Sequence, residues 1–166
     1  YNLGTGLWSK LVSDGLGRWR TSAHCWQPEW KKHLVGDYST GNIYELSDTA
    51  YTEGDSVLRR RAASAPLSFG GLGFITHEFV LDIDAGVGLV TGQGSDPQAV
   101  LDWSDDGGRT WSSELWRSFG AIGEYKKRAR WHHLGMSRNR TFRITITDPV
   151  PVRIAGAYVR VERLAA

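Results

Sequence analysis

Two pairs of nearby acids, Asp82 with Asp84 and Asp105 with Asp106, are the side chains best suited by type to acid–base chemistry. Glycoside hydrolysis needs two carboxyl groups roughly 5–9.5 Å apart across the scissile bond. All four fall at strand ends or in turns, where a carboxylate ordinarily accepts backbone N–H groups or faces water. His132-His133 is the one adjacent histidine pair. Neighbours on a strand point to opposite faces, so these two do not readily chelate one ion. His24, His33 and His77 lie on other elements, and a zinc site would need distant segments to converge. Cys25, in SAHCWQP, could act as a nucleophile only beside a histidine. Its surroundings match no thiol-enzyme pattern, and a small buried hydrophobe is the simpler reading. The sequence therefore leads us to expect no catalytic residue, no metal and no cofactor.

The most specific pattern is SDDGGRTW, with Ser104, Asp106, Gly108, Thr110 and Trp111 at the defined positions. An aspartate in a tight turn accepts hydrogen bonds from backbone N–H groups ahead of it. Gly108 supplies a positive φ, and Trp111 can fold back as an apolar plug. The pattern resembles the Asp box of sialidases and other all-β repeat proteins, where the motif sits away from the active site. It therefore speaks for a self-stabilised hairpin. Sialidase-type catalysis would also require an arginine cluster, a tyrosine nucleophile with its glutamate and an acid, all converging in a complete propeller.

Two basic clusters remain. Arg59-Arg60-Arg61 is short. The larger one comprises Lys126, Lys127, Arg128, Arg130, Arg138 and Arg140, with Arg143 beyond, interleaved with Tyr125 and Trp131. Such a mixture suits either phosphate contact or an interface anchor. The bland alternative is the solvated outer face of strands. GVGLVTGQG at 86–94 has the glycines of a phosphate cradle but no helix and no Lys-Ser/Thr after it.

These residues must be positioned by strands. The chain of 166 residues has 20 glycines recurring between short alternating runs and no long amphipathic helix pattern, which predicts an all-β fold. Eight tryptophans and six tyrosines imply large aromatic contacts. A net charge of +2 argues for no particular polyanionic partner. One cysteine excludes an internal disulfide framework and fits folding in a reducing cytoplasm. No apolar run reaches the ~20 residues of a membrane span. The opening at Tyr1 suggests the C-terminal piece of a longer protein.

Residues 1–62 read as part of a β-propeller-like region, with strands at 21–26, 33–36 and 42–46 joined by Gly/Asp turns. Residues 63–73, small and Pro/Gly-containing, read as a linker. Residues 74–166 read as a β-sandwich of jelly-roll type containing the SDDGGRTW hairpin. In it, 74–83 places Ile75, Phe79, Leu81 and Ile83 on one face with His77 among them. The 98–103 strand turns Ala99, Leu101 and Trp103 one way, and 141–147 turns Phe142, Ile144 and Ile146 inward. Residues 150–161 hold two short strands, or one bent at Gly156.

Three stretches resemble one family: residues 17–46, 96–135 and 137–159. The marks are SDDGGRTW, Gly123-Glu124-Tyr125 with Arg128 and Trp131, Leu134-Gly135 with Arg138, and Asp148-Pro149. They look like the C-terminal third of the packaged-DNA stabilisation proteins, the tail-hub accessory factors of short-tailed phages and prophages. The resemblance implies a non-enzymatic virion tail protein assembled in the host cytoplasm. It implies a homo-oligomeric ring that closes the head, retains packaged DNA and takes part in its ejection. The implied partners are a portal adaptor and a tail needle or plug, with a tailspike and non-specific contact with packaged double-stranded DNA as further ones. The competing readings are a carbohydrate-binding or sialidase-like glycan-active module and a generic adhesion sandwich.

Overall fold

The computed structural model describes residues 1–4 and 6–164. Every named element is a strand, and no helix is long and apolar enough to cross a membrane among the described residues. The chain divides into two compact units between Arg59 and Arg60.

The first unit holds β1 (Thr21–Gln27), β2 (Lys32–Asp37) and β3 (Ile43–Leu46), paired as an antiparallel meander. Its short hairpin joins β4 (Thr52–Glu53) to β5 (Ser56–Val57). Asp37 organises the β2–β3 turn. Its carboxylate accepts from the Ser39 amide at 2.8 Å and the Thr40 hydroxyl at 2.7 Å, with the Arg20 guanidinium at 3.5 Å. Burial raises the Asp37 pKa, but these hydrogen bonds outweigh it and hold the group below its ordinary value. The three strands lie where alternation and Gly/Asp turns predict them. A propeller blade carries four strands; the meander described here has three.

The second unit is a two-sheet sandwich. One sheet runs β10-β9-β12-β6, built from β6 (Arg60–Ala63), β9 (Gln98–Ser104), β10 (Leu115–Ser118) and β12 (Asn139–Ile146). The short β7 (Leu67–Ser68) also pairs with β12. The facing sheet runs β11-β8-β13, from β8 (Phe74–Ile83), β11 (Ala129–Ser137) and β13 (Ile154–Arg163). Residues 60–62, read with the first region, and Ala63 and Leu67–Ser68, read as linker, are sandwich instead, because Arg60–Ala63 pairs with Arg143–Ile146 and Leu67–Ser68 with Asn139–Arg140. β6, Arg-Arg-Ala-Ala, has no alternation of large apolar residues to betray it.

The core lies between the sheets. Phe79, Leu81 and Ile83 of β8 meet Ala99 and Leu101 of β9, Trp131 of β11, and Phe142, Ile144 and Ile146 of β12. Trp131 is fully buried, and its indole N–H reaches the Leu115 carbonyl at 2.8 Å, satisfying its polar atom. Residues 154–163 form one strand with register shifts at Ala155, next to Gly156, and between Arg160 and Val161.

β8 departs from strict alternation. Phe74 and Thr76 are buried, then Phe79, Leu81 and Ile83, so the inward phase slips between Thr76 and Phe79. The cause is an extra residue, His77, against β13, where Thr76 and Glu78 face the consecutive Val161 and Arg160; β11 bulges beside it at His133 and Leu134, His133 with a φ of 57°. Ile75 and His77 consequently leave the core face predicted for them.

Candidate interaction surface

The SDDGGRTW turn connects β9 to β10 and is held by its own side chains. The Ser104 hydroxyl donates to Asp106 Oδ1 at 2.7 Å and accepts from the Gly108 amide at 2.8 Å. The amides of Arg109 and Thr110 donate to Asp106 at 2.9 Å, and the Thr110 hydroxyl donates to Oδ2 at 2.6 Å. Together with the Ser104 bond, these Thr110 and Arg109 contacts drive the Asp106 pKa far below the usual carboxylate range. Gly107 and Gly108 both take positive φ. The Trp111 indole N–H caps the Gly108 carbonyl at 3.2 Å. Its ring lies under the Arg143 guanidinium, 3.6 Å from centroid to Cζ, so Trp111 is an aromatic platform for a cation. Arg143 in turn grips Asp102 across β9 and β12, with Nε 2.9 Å from Oδ1.

The larger basic cluster does not act as one patch. Arg140 is only 2% exposed. Its Nε and Nη2 donate to the two oxygens of Asp105 at 2.7 and 2.8 Å, and Nη1 donates to the Leu134 carbonyl at 2.6 Å. It belongs to the interior side of β12 with Phe142 and Ile144, which removes it from any DNA-facing surface. Arg138 is exposed between β11 and β12, seven positions beyond the buried Trp131 along the chain and away from the remaining four cations.

Lys126, Lys127, Arg128 and Arg130 do come together. With Tyr125, Asp82 and Ile83 they line a hollow of about 450 Å³. The outer face of the β11-β8-β13 sheet continues from it, carrying Arg130 and His132, then Glu78 and Asp82, then Tyr158 and Arg160. Carboxylates answer these cations: Arg128–Asp82 at 3.5 Å, Arg130–Glu78 at 3.4 Å, and Lys127 with Glu124 at 3.0 Å and Asp96 at 4.0 Å. The Lys127 hydrogen bond, then the Ala121 amide, lowers the Glu124 pKa. With Arg160, five cations thus stand among four acids, a mixed surface with a small positive excess. The Arg59-Arg60-Arg61 run is likewise committed: Arg59 to Asp14 at 2.8 Å, Arg60 to the carbonyls of Asp148 and Val150, and Arg61 to the Thr145 hydroxyl at 3.3 Å.

The acid pairs separate into different duties. Asp82 serves Arg128, Asp105 serves Arg140, Asp106 serves its turn, and Asp84 is exposed. His132 leans toward Glu78 at 3.8 Å, away from His133. His24 and His33, read as lying apart, are cross-strand neighbours with Nε2 and Nδ1 2.9 Å apart. No group of three or more His, Cys, Asp or Glu residues able to hold a metal occurs among the described residues. Cys25 is exposed, because both faces of β1 are largely open; the buried reading does not hold.

Two facing antiparallel sheets around one core define the second unit as a β-sandwich domain. Residues 60–162 match the family described as bacteriophage P22 Gp10, beta-sandwich, and the chain belongs to that phage structural family. The match begins at Arg60, the first residue of the second unit. No curated protein matches the chain.

Proposed function

We propose that this chain is a virion tail component, a hub or head-closure subunit that retains packaged DNA and takes part in its ejection. The observation that carries the reading is the family match over the whole sandwich. On this reading the protein is not an enzyme. It works as one subunit of a ring, against a portal adaptor above and a tail needle or plug below, in the virion tail.

The surface chemistry favours protein contact over a phosphate track. Affinity for duplex DNA grows with the number of phosphates neutralised by uncommitted Lys and Arg. Here Lys127, Arg128 and Arg130 each have an acid within 4.0 Å. Such a mixed surface gives specificity and register to a protein interface. Contact with packaged DNA is then incidental to the ring's position. The glycan-active alternative lacks support at SDDGGRTW, since Asp106 spends its oxygens on Ser104, Arg109 and Thr110. The propeller-like reading of the first unit belongs to the same proposal, with its meander as one part of a blade.

Electron cryomicroscopy of purified particles tests the assignment. The sandwich should fit density in a ring between the head vertex and the distal tail. Its absence from the particle would overturn the proposal.

A further inference from the structure

The two sheets of the sandwich do not close along one side. β6 ends one sheet and β13 ends the other, and between them lies an apolar groove of about 320 Å³. Its walls are small residues, Ala62 and Ala65 on one side and Ala157 with Val159 on the other, and Phe142 lies beneath. A cavity of about 150 Å³ holds a benzene ring, so this groove has room for about two large side chains. Long edge strands are usually blunted by charge, proline or bulges. β13 has register shifts at Ala155 and between Arg160 and Val161, and between these it keeps regular register from Gly156 to Arg160, with its far edge unpaired in the sheet order.

The outer rung of this strand specifies the chemistry of a neighbour. Arg160 stands opposite Glu78, but Arg130 at 3.4 Å and His132 at 3.8 Å already engage that carboxylate. An acid on the next strand would therefore meet Arg160 as a cross-strand partner. Tyr158, 61% exposed, favours an aromatic or β-branched neighbour opposite it. On the inner face, Ala157 and Val159 leave their volume to whatever comes in beside them.

We propose that the free edge of β13, Gly156 to Arg160, is a strand-addition site for an extended segment of a partner protein. That segment alternates large apolar residues, which enter the groove, with an aromatic residue opposite Tyr158 and an acidic one opposite Arg160. Main-chain hydrogen bonds supply affinity and the alternating side chains supply selectivity. The inference stands on the sandwich geometry and is independent of where the protein sits in a particle.

The test uses labelled synthetic peptides of about nine residues, long enough to span the edge. One alternates Leu with Tyr and Glu, a second replaces Glu by Lys, and a third scrambles the alternation. The Glu peptide is expected to bind and to shift the amide resonances of Gly156–Arg160. Ala62→Leu, which fills the groove from β6, should weaken it by about tenfold or more, as should Ala157→Leu from the other wall. Arg160→Glu should transfer the preference to the Lys peptide. Thermal unfolding confirms that each variant folds. Absence of amide shifts at millimolar peptide would overturn the proposal. So would affinity indifferent to groove filling and to Arg160→Glu. A concentration-dependent dimer protecting these same amides would make a second copy the occupant and equally overturn it.

Discussion

Arg140 and Asp105 form a two-point ion pair, Nε to Oδ1 at 2.7 Å and Nη2 to Oδ2 at 2.8 Å, with the guanidinium interior and the carboxylate at the turn surface. This ties the SDDGGRTW turn to β12. Through the Leu134 carbonyl it also ties β12 to the opposite sheet. Arg140→Ala leaves the Leu134 and Met136 carbonyls without their donor and opens a void. We expect a loss of about 1–3 kcal/mol, set by the buried carbonyls left unsatisfied, because Asp105 is 44% exposed and regains water. Arg140→Lys should recover little, because an ammonium cannot reproduce the fork. Denaturant unfolding monitored by tryptophan fluorescence measures both.

Asp106→Asn should lower stability at neutral pH and flatten its acid dependence. The native carboxyl titrates far below the unfolded value of about 4. Its contribution is thus fully present above that value and is lost as pH falls toward the depressed native one. The gap between wild type and variant should narrow progressively below about pH 4. A pH series of denaturation midpoints checks this; a gap constant down to pH 2 contradicts it.

Backbone geometry gives an opposed pair of expectations. His133→Gly removes a left-handed strain of about 1–2 kcal/mol and should stabilise by up to about 1 kcal/mol after the added unfolded-state entropy. Gly120→Ala, at φ 120° with its new Cβ 2.9 Å from the Glu124 carbonyl oxygen, should destabilise by about 1–3 kcal/mol. Paired melting curves distinguish the two.

The mixed outer face leads us to expect weak duplex binding. At about 150 mM salt, an unrelated-sequence DNA duplex should bind no tighter than the non-specific range of about 10⁻⁴–10⁻⁶ M, with a shallow salt slope. Glu78→Gln with Asp82→Asn, which frees Arg130 and Arg128, should steepen that slope. Fluorescence anisotropy across a salt series reports it.

Much of this was readable before any coordinates. The alternation of Phe142, Ile144 and Ile146 predicts the inward face of β12, and SDDGGRTW predicts its own turn. Arg140 was readable too: it shares the parity of Phe142 and Ile144, and strand alternation places it inside. Charge alone groups it with Lys126–Arg130; strand parity separates it. The slip in β8 was not readable, because it depends on how His77 is left extra against β13 and meets the bulge of β11. Nor were β6 and β7, since Arg-Arg-Ala-Ala and Leu-Ser are too short and carry no apolar period. Charge pairing on the outer face required knowing that β8 lies beside β11, bringing Glu78 and Asp82 to Arg130 and Arg128.

The proposed function is retention of packaged DNA inside the particle. Its most direct test is to inactivate the chain's gene and measure the fraction of heads still filled with DNA after lysis. The account predicts that heads package normally and then empty, with filling restored by the intact protein supplied in trans. Particles that stay full and infective without it would contradict the account.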